Sequence, residues 1–171
     1  MPDGANCPTC QIAERSAHLA VSTSSKPTYT VLLVDDNQDL LRALSFALEE
    51  LGGFHVVCAN DGIEGLEIFY DIHPDCVVID VKMPGLTGYQ LMRAFRGDSL
   101  SMETPLIMLT ALAQDKDQFA GMAVGADIYF TKPVKPQVLA EAIHKVIAEG
   151  SQERMRRYQE LVDNLMPDLS N

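Results

Sequence analysis

Three carboxylates, a hydroxyl and an amine each follow a short apolar run in this chain. Asp35 and Asp36 follow Tyr29–Val34, Asp80 follows Cys76–Ile79, Thr110 closes Pro105–Leu109, and Lys132 follows Asp127–Thr131. Runs this short and this apolar read as strands buried on both faces, and therefore as parallel strands. Open parallel sheets hold their ligands at the carboxyl ends of the strands, where the strand order reverses. In a sheet ordered 2-1-3-4-5, the strands ending at Asp35–Asp36 and at Asp80 are neighbours. Three carboxylates crowded into one crevice cannot all stay ionised without positive charge beside them. A divalent cation together with Lys132 balances them, and a few hard oxygen ligands suit octahedral Mg²⁺ that keeps several waters. Read singly, each acid is a turn or helix cap. That reading does not explain why acid, hydroxyl and amine all fall at strand ends.

The intervening segments supply the helices that such a sheet needs. Gln38 to Leu51 has Leu40, Leu44, Leu48 and Leu51 at helical spacing with Leu41 and Ala47 beside them, and Gly52-Gly53 stops it. His55–Ala59 reads as the second strand. Ile63–Ile72 reads as the second helix, with Ile63, Leu66 and Ile68-Phe69 as its apolar contacts. The third helix spans Thr87–Arg96, the fourth Asp115–Val124, and the fifth Lys135–Ala148 with Val138, Leu139, Ala142, Ile143, Val146 and Ile147 inward. Five strands alternating with five helices predict an α/β domain, a (βα)5 doubly wound parallel sheet with helices on both faces. Met83-Pro84-Gly85 forces a turn directly after Asp80.

The 171 residues suit one domain with appendages. Residues 1–27 read as a flexible tail, 28–149 as the domain, and 150–171 as a further helix and tail. The net charge of −11 opposes binding to nucleic acid or anionic lipid. No apolar run is long enough to span a membrane. Four cysteines without an export signal predict reduced thiols in a cytoplasmic protein. Cys58 and Cys76 fall in strands, where cysteine acts as a small buried hydrophobe. Cys7 and Cys10 form a C-x-x-C pair. A structural zinc site needs four ligands, and only His18 is on offer as a third. The pair therefore reads as two free thiols, with a weak metal or redox pair as the alternative.

With these motifs in place, the chain resembles the receiver domain of bacterial two-component response regulators, the CheY-like superfamily. The resemblance rests on Val34-Asp35-Asp36-Asn37, Ala59-Asn60-Asp61-Gly62, Pro74-Asp75 leading to Asp80, Met83-Pro84 with Gly88, Thr110-Ala111, and Gly125-Ala126-Asp127-Ile128-Tyr129-Phe130-Thr131-Lys132-Pro133. These motifs run in order over about residues 28–149. The resemblance implies the flavodoxin-like receiver fold and a phosphoacceptor, Asp80, served by a sensor histidine kinase or a histidine phosphotransfer protein. It implies Mg²⁺ held by Asp36 directly, by Asp35 through water, by Asp80, and by the backbone carbonyl of Lys82. It further implies that Lys132 pairs with the phosphoryl group, that Thr110 and Ala111 close on it, that Tyr129 is a rotamer switch, and that the Lys132–Pro133 bond is cis. On pattern alone Tyr129 is equally a half-exposed strand aromatic. Lys82 and Leu112 stand where the family modulates dephosphorylation, although Lys82 is equally a solvated loop lysine.

Beyond Glu149-Gly150-Ser151, residues Gln152–Met166 read as a terminal helix whose Met155, Tyr158, Val162 and Leu165 form a two-heptad seam. No helix-turn-helix pattern or catalytic output motif is found in the chain. The expected function is therefore a switch of protein–protein contacts toward an unknown downstream protein. A homodimer is expected through the face of the fourth helix, fifth strand and fifth helix, with the terminal helix contributing. The competing class is an aspartyl-phosphate-forming phosphatase of haloacid-dehalogenase type. That family needs an acid two residues after the nucleophile, and Lys82 stands there.

Overall fold

The computed structural model of the chain describes residues 28–111 and 125–154, with residues 156 and 160. Cys7, Cys10, His18, the predicted fourth helix, Leu112 and the seam residues lie outside the described residues. The elements are β1 (Thr30–Val34), α1 (Gln38–Gly52), β2 (His55–Ala59), α2 (Gly62–Ile72), β3 (Cys76–Asp80), α3 (Gly88–Gly97), β4 (Leu106–Thr110), β5 (Ile128–Thr131) and α4 (Pro136–Ala148). The last of these is the fifth helix of the sequence reading.

The five strands form one parallel sheet in the order β2-β1-β3-β4-β5. Every residue of β3 and β4 is buried, as their unbroken apolar runs require. Alternate residues feed two cores. Val31, Leu33, Val78, Ile107 and Leu109 pack with Leu41, Leu44 and Leu48 of α1 and Leu139, Ile143 and Val146 of α4. Leu32, Val34, Val77, Ile79, Leu106 and Met108 pack with Phe69 of α2 and Leu91, Met92 and Phe95 of α3. Among the described residues, α1 and α4 lie on one face of the sheet, α2 and α3 on the other.

Local signals start each helix. The Asn37 side chain accepts the N–H groups of Asp39 and Leu40, and Asp61 accepts those of Ile63 and Glu64. Thr87 and Gln90 form a reciprocal capping box at α3. Lys135 caps α4 without a side-chain bond, ahead of Pro136 at the first helical position. For the described elements the boundaries of the sequence reading hold to within one residue, but three side chains do not point where it placed them. The buried stripe of α1 is Leu41, Leu44 and Leu48, while Leu51 is exposed. Ile63 and Val138 are also exposed. Each helix presents only a narrow stripe to the sheet, and these three lie on its margin.

Candidate functional site

β1 and β3 run in register, with Val34 beside Ile79, so the next residue of each, Asp35 and Asp80, stand side by side. Asp35 is 1% exposed and Asp80 5%, whereas Asp36 faces solvent. Ligand oxygens of all three lie within 4.8 Å of one another. Among the described residues, Lys132 meets two of them. Lys132 Nζ lies 2.6 Å from Asp35 Oδ2 and 2.8 Å from Asp80 Oδ1. Asp35 Oδ1 accepts the N–H of Asn37 at 2.9 Å, which ties the acid to the start of α1.

Lys132 is delivered from the far side of the sheet. Thr110 pairs with Thr131 in the β4–β5 register, and the Lys132 N–H donates to the Thr110 carbonyl. The Lys132–Pro133 peptide is cis, with Pro133 exposed. Thr110 is buried at the end of β4, next to the exposed Ala111. Tyr129 is half-buried between Met92 and the core beneath α3, with its hydroxyl 3.8 Å from Met92 Sδ, and burial pushes its phenol up. Lys82 is exposed in the loop after β3.

The electrostatics are unbalanced in one direction. Burial pushes the Asp80 carboxyl up, Lys132 pulls it down, and Asp35 and Asp36 push it up again, so the net shift is upward. Burial alone would lower the Lys132 ammonium, but its hydrogen bonds to Asp35 and Asp80, together with the attraction of their charges, raise it on balance. The ammonium therefore stays charged at neutral pH. Three acids against one base leave a deficit of positive charge lined by hard oxygens, and a small divalent cation fits it.

Two residues that shape the site were not singled out for that role in the sequence. A Cβ built on Gly88 would lie 2.1 Å from the Asp80 carbonyl oxygen, and one on Gly62 2.6 Å from that of Leu86. The Gly88 N–H also donates to the Val81 carbonyl at 3.1 Å. The loop 81–87 thus doubles back so that Gly88 rests on the backbone of Asp80 and Val81. Only residues without a side chain permit that approach.

The family model for the response regulator receiver domain matches residues 31–144. This chain belongs to the response regulator receiver family. The probable transcriptional regulator ycf27 of Guillardia theta is 38% identical over 136 residues, which cover 80% of this chain and 50% of that protein. The phosphate regulon transcriptional regulatory protein PhoB of Pseudomonas aeruginosa is 33% identical over 118 residues, 69% of this chain and 51% of that protein. The chain thus spans about half the length of these relatives. Among solved structures, the Vibrio cholerae chemotaxis protein CheY4 superposes with a TM-score of 0.63 at 33% identity, covering 70% of this chain and 98% of that one. A receiver domain protein from Clostridium thermocellum gives 0.63 at 32% identity, covering 70% and 94%. The observed strand order is that of the receiver fold. No helix among the described residues is long and apolar enough to cross a membrane.

Proposed function

We propose that the chain is a phosphorylation-controlled switch in which Asp80 accepts a phosphoryl group from the phosphohistidine of a sensor histidine kinase or a histidine phosphotransfer protein. The observation that carries this reading is the Lys132 ammonium shared between Asp35 and Asp80 in a pocket of three carboxylates. An Asp80 oxygen attacks phosphorus while the phosphorus–nitrogen bond breaks, and the electron pair leaves with the imidazole nitrogen. The transferring group spreads its charge over its oxygens, so the site has mainly to position and neutralise. Asp35, Asp36, Asp80 and the Lys82 carbonyl would hold Mg²⁺, which when bound supplies positive charge to the carboxylate and phosphoryl oxygens alike. Lys132 neutralises a further phosphoryl oxygen.

Phosphorylation replaces a charge of −1 on Asp80 by about −2. The Thr110 hydroxyl donates to a new oxygen, drawing the Thr110–Ala111 segment inward, and Tyr129 moves into the space vacated. The face around β5 and α4 then changes shape, a local charge event biasing a two-state element. The output is a change of protein contacts, including homodimerisation through that face, in a cytoplasmic protein. No turnover is assigned beyond slow self-dephosphorylation, because Lys82 occupies the place where an aspartyl-phosphate phosphatase needs a second acid.

Incubation with acetyl phosphate and Mg²⁺ tests this by intact mass. One phosphoryl group is expected on the wild-type chain, none on Asp80→Asn, and none in EDTA. Labelling of Asp80→Asn, or equal labelling in EDTA, rejects the reading.

A further inference from the structure

Residues 151–154 form a helical turn beyond the family match, which ends at residue 144. The last residue of that turn faces inward. The Arg154 side chain is 13% exposed. Its Nη1 donates to the carbonyls of Val146, at 3.3 Å, and Glu149, and its Nη2 donates to the carbonyl of Glu103. Its Nε lies 3.8 Å from Asp127 Oδ1. Three carbonyls and a carboxylate therefore converge on one guanidinium from the end of α4, the α3–β4 connection and the start of β5. Helix-end carbonyls such as those of Val146 lack an intrahelical partner, and a planar fork of five donors can satisfy several acceptors at once.

The other side of Asp127 is already committed. Its Oδ2 accepts the Leu106 N–H at 2.8 Å and lies 3.2 Å from Arg96 Nη2. Arg96 in turn donates to the carbonyls of Gly125, Met102 and Thr104. The Asp127 side chain is 8% exposed, so its charge relies on protein partners more than on water. This cluster lies at the amino edge of β4 and β5, the pole of the sheet opposite the acid pocket.

We propose that this carbonyl-lined, acidic notch is the docking site that seats the segment beginning at residue 151 on its own domain, in cis, through Arg154. The connection favours the chain's own arginine over one from another molecule. The Gly150 carbonyl accepts the N–H groups of Glu153 and Arg154, so the helix restarts directly after α4 and presents Arg154 within its first turn. So short a tether gives the guanidinium a high effective concentration at the notch.

Hydrogen exchange on the full chain, without phosphoryl donor or metal, tests this independently of phosphotransfer. Arg154→Ala is expected to speed exchange at least fivefold in residues 102–106, 125–131 and 146–154 while leaving 76–80 unchanged. Arg154→Lys keeps the charge but loses the fork, and should fall between. Unchanged exchange in Arg154→Ala overturns the proposal. Light scattering under the same conditions separates the occupants. A wild-type monomer supports docking in cis, whereas a wild-type dimer that becomes monomeric in Arg154→Ala places the helix on a second copy and overturns it.

Discussion

Asp80 is a buried anion with one shared cation for company, and the upward shift of its carboxyl has a consequence for stability. An acid whose folded value is raised releases its proton more readily from the unfolded chain. Folding therefore loses stability as pH rises from the ordinary value of 3.8 through the folded one. In EDTA, Asp80→Asn should raise the midpoint of thermal unfolding by several degrees at neutral pH, equivalent to about 1 kcal/mol. That gain should vanish in acid, where the wild-type carboxyl is protonated too. Added Mg²⁺ should raise the wild-type midpoint and leave the variant's nearly unmoved. Lys132 acts in the alkaline range. Its raised ammonium contributes stability below the ordinary value of 10.5, and that contribution is lost as pH climbs through the higher folded value. The strand cysteines make a second prediction. Burial pushes up both the Cys76 thiol and, with Glu49 and Glu64 adding to it, the Cys58 thiol, against a weaker opposing bond from Ser45. The reactive thiolate is suppressed, so at pH 8 maleimide should label Cys58 slowly and Cys76 only on unfolding. Prompt labelling of Cys76 in the native chain would contradict its complete burial.

Among the elements, the loop between β3 and α3 is the most tightly specified. Gly88→Ala would put a methyl group against the Asp80 backbone, where no flexible side chain can yield. The expected cost is about 2 kcal/mol of stability, together with a loss of Mg²⁺ affinity of tenfold or more. Gly97→Ala meets open space in the same helix and should leave metal affinity unchanged, which makes it the matched control. Titration calorimetry with Mg²⁺ reads both, and equal affinities for the two variants would refute the positioning role of Gly88. The strands of this loop's neighbourhood were legible in the sequence because burial on both faces leaves an unbroken apolar run. The helices were legible as helices, but not where the covered stripe ends: Leu51 shares a stripe with Leu40, Leu44 and Leu48, yet it is exposed, while Leu41 beside them is buried. The acids at the strand ends were legible because the strand order makes neighbours of β1 and β3. The contacts of Gly88 and Gly62 were not, since a close backbone approach leaves no mark on residue type beyond the glycine itself. Nor was the pairing of Arg154 with Asp127, which joins two segments with no periodic pattern between them.

At the scale of the molecule, the fold separates two charged clusters by the length of a sheet. The acid pocket lies at the carboxyl edge and the Arg96–Asp127–Arg154 cluster at the amino edge, and β5 runs from one to the other in four residues. If phosphorylation reshapes the β5 and α4 face, beryllofluoride with Mg²⁺ should convert the chain from monomer to dimer in light scattering. Asp80→Asn should stay monomeric under the same conditions, and a wild-type chain that also stays monomeric would remove dimerisation from the proposed output. The strand order has a further effect, on synthesis. Because β1 sits at the centre between β2 and β3, the first half of the chain can close a three-stranded sheet before β4 and β5 leave the ribosome. Asp35, Asp36 and Asp80 all belong to that half, while Lys132 is 97 residues beyond Asp35. A chain folding in this order would gather three anions before Lys132 is made, and a divalent cation would be the charge to balance them in that interval.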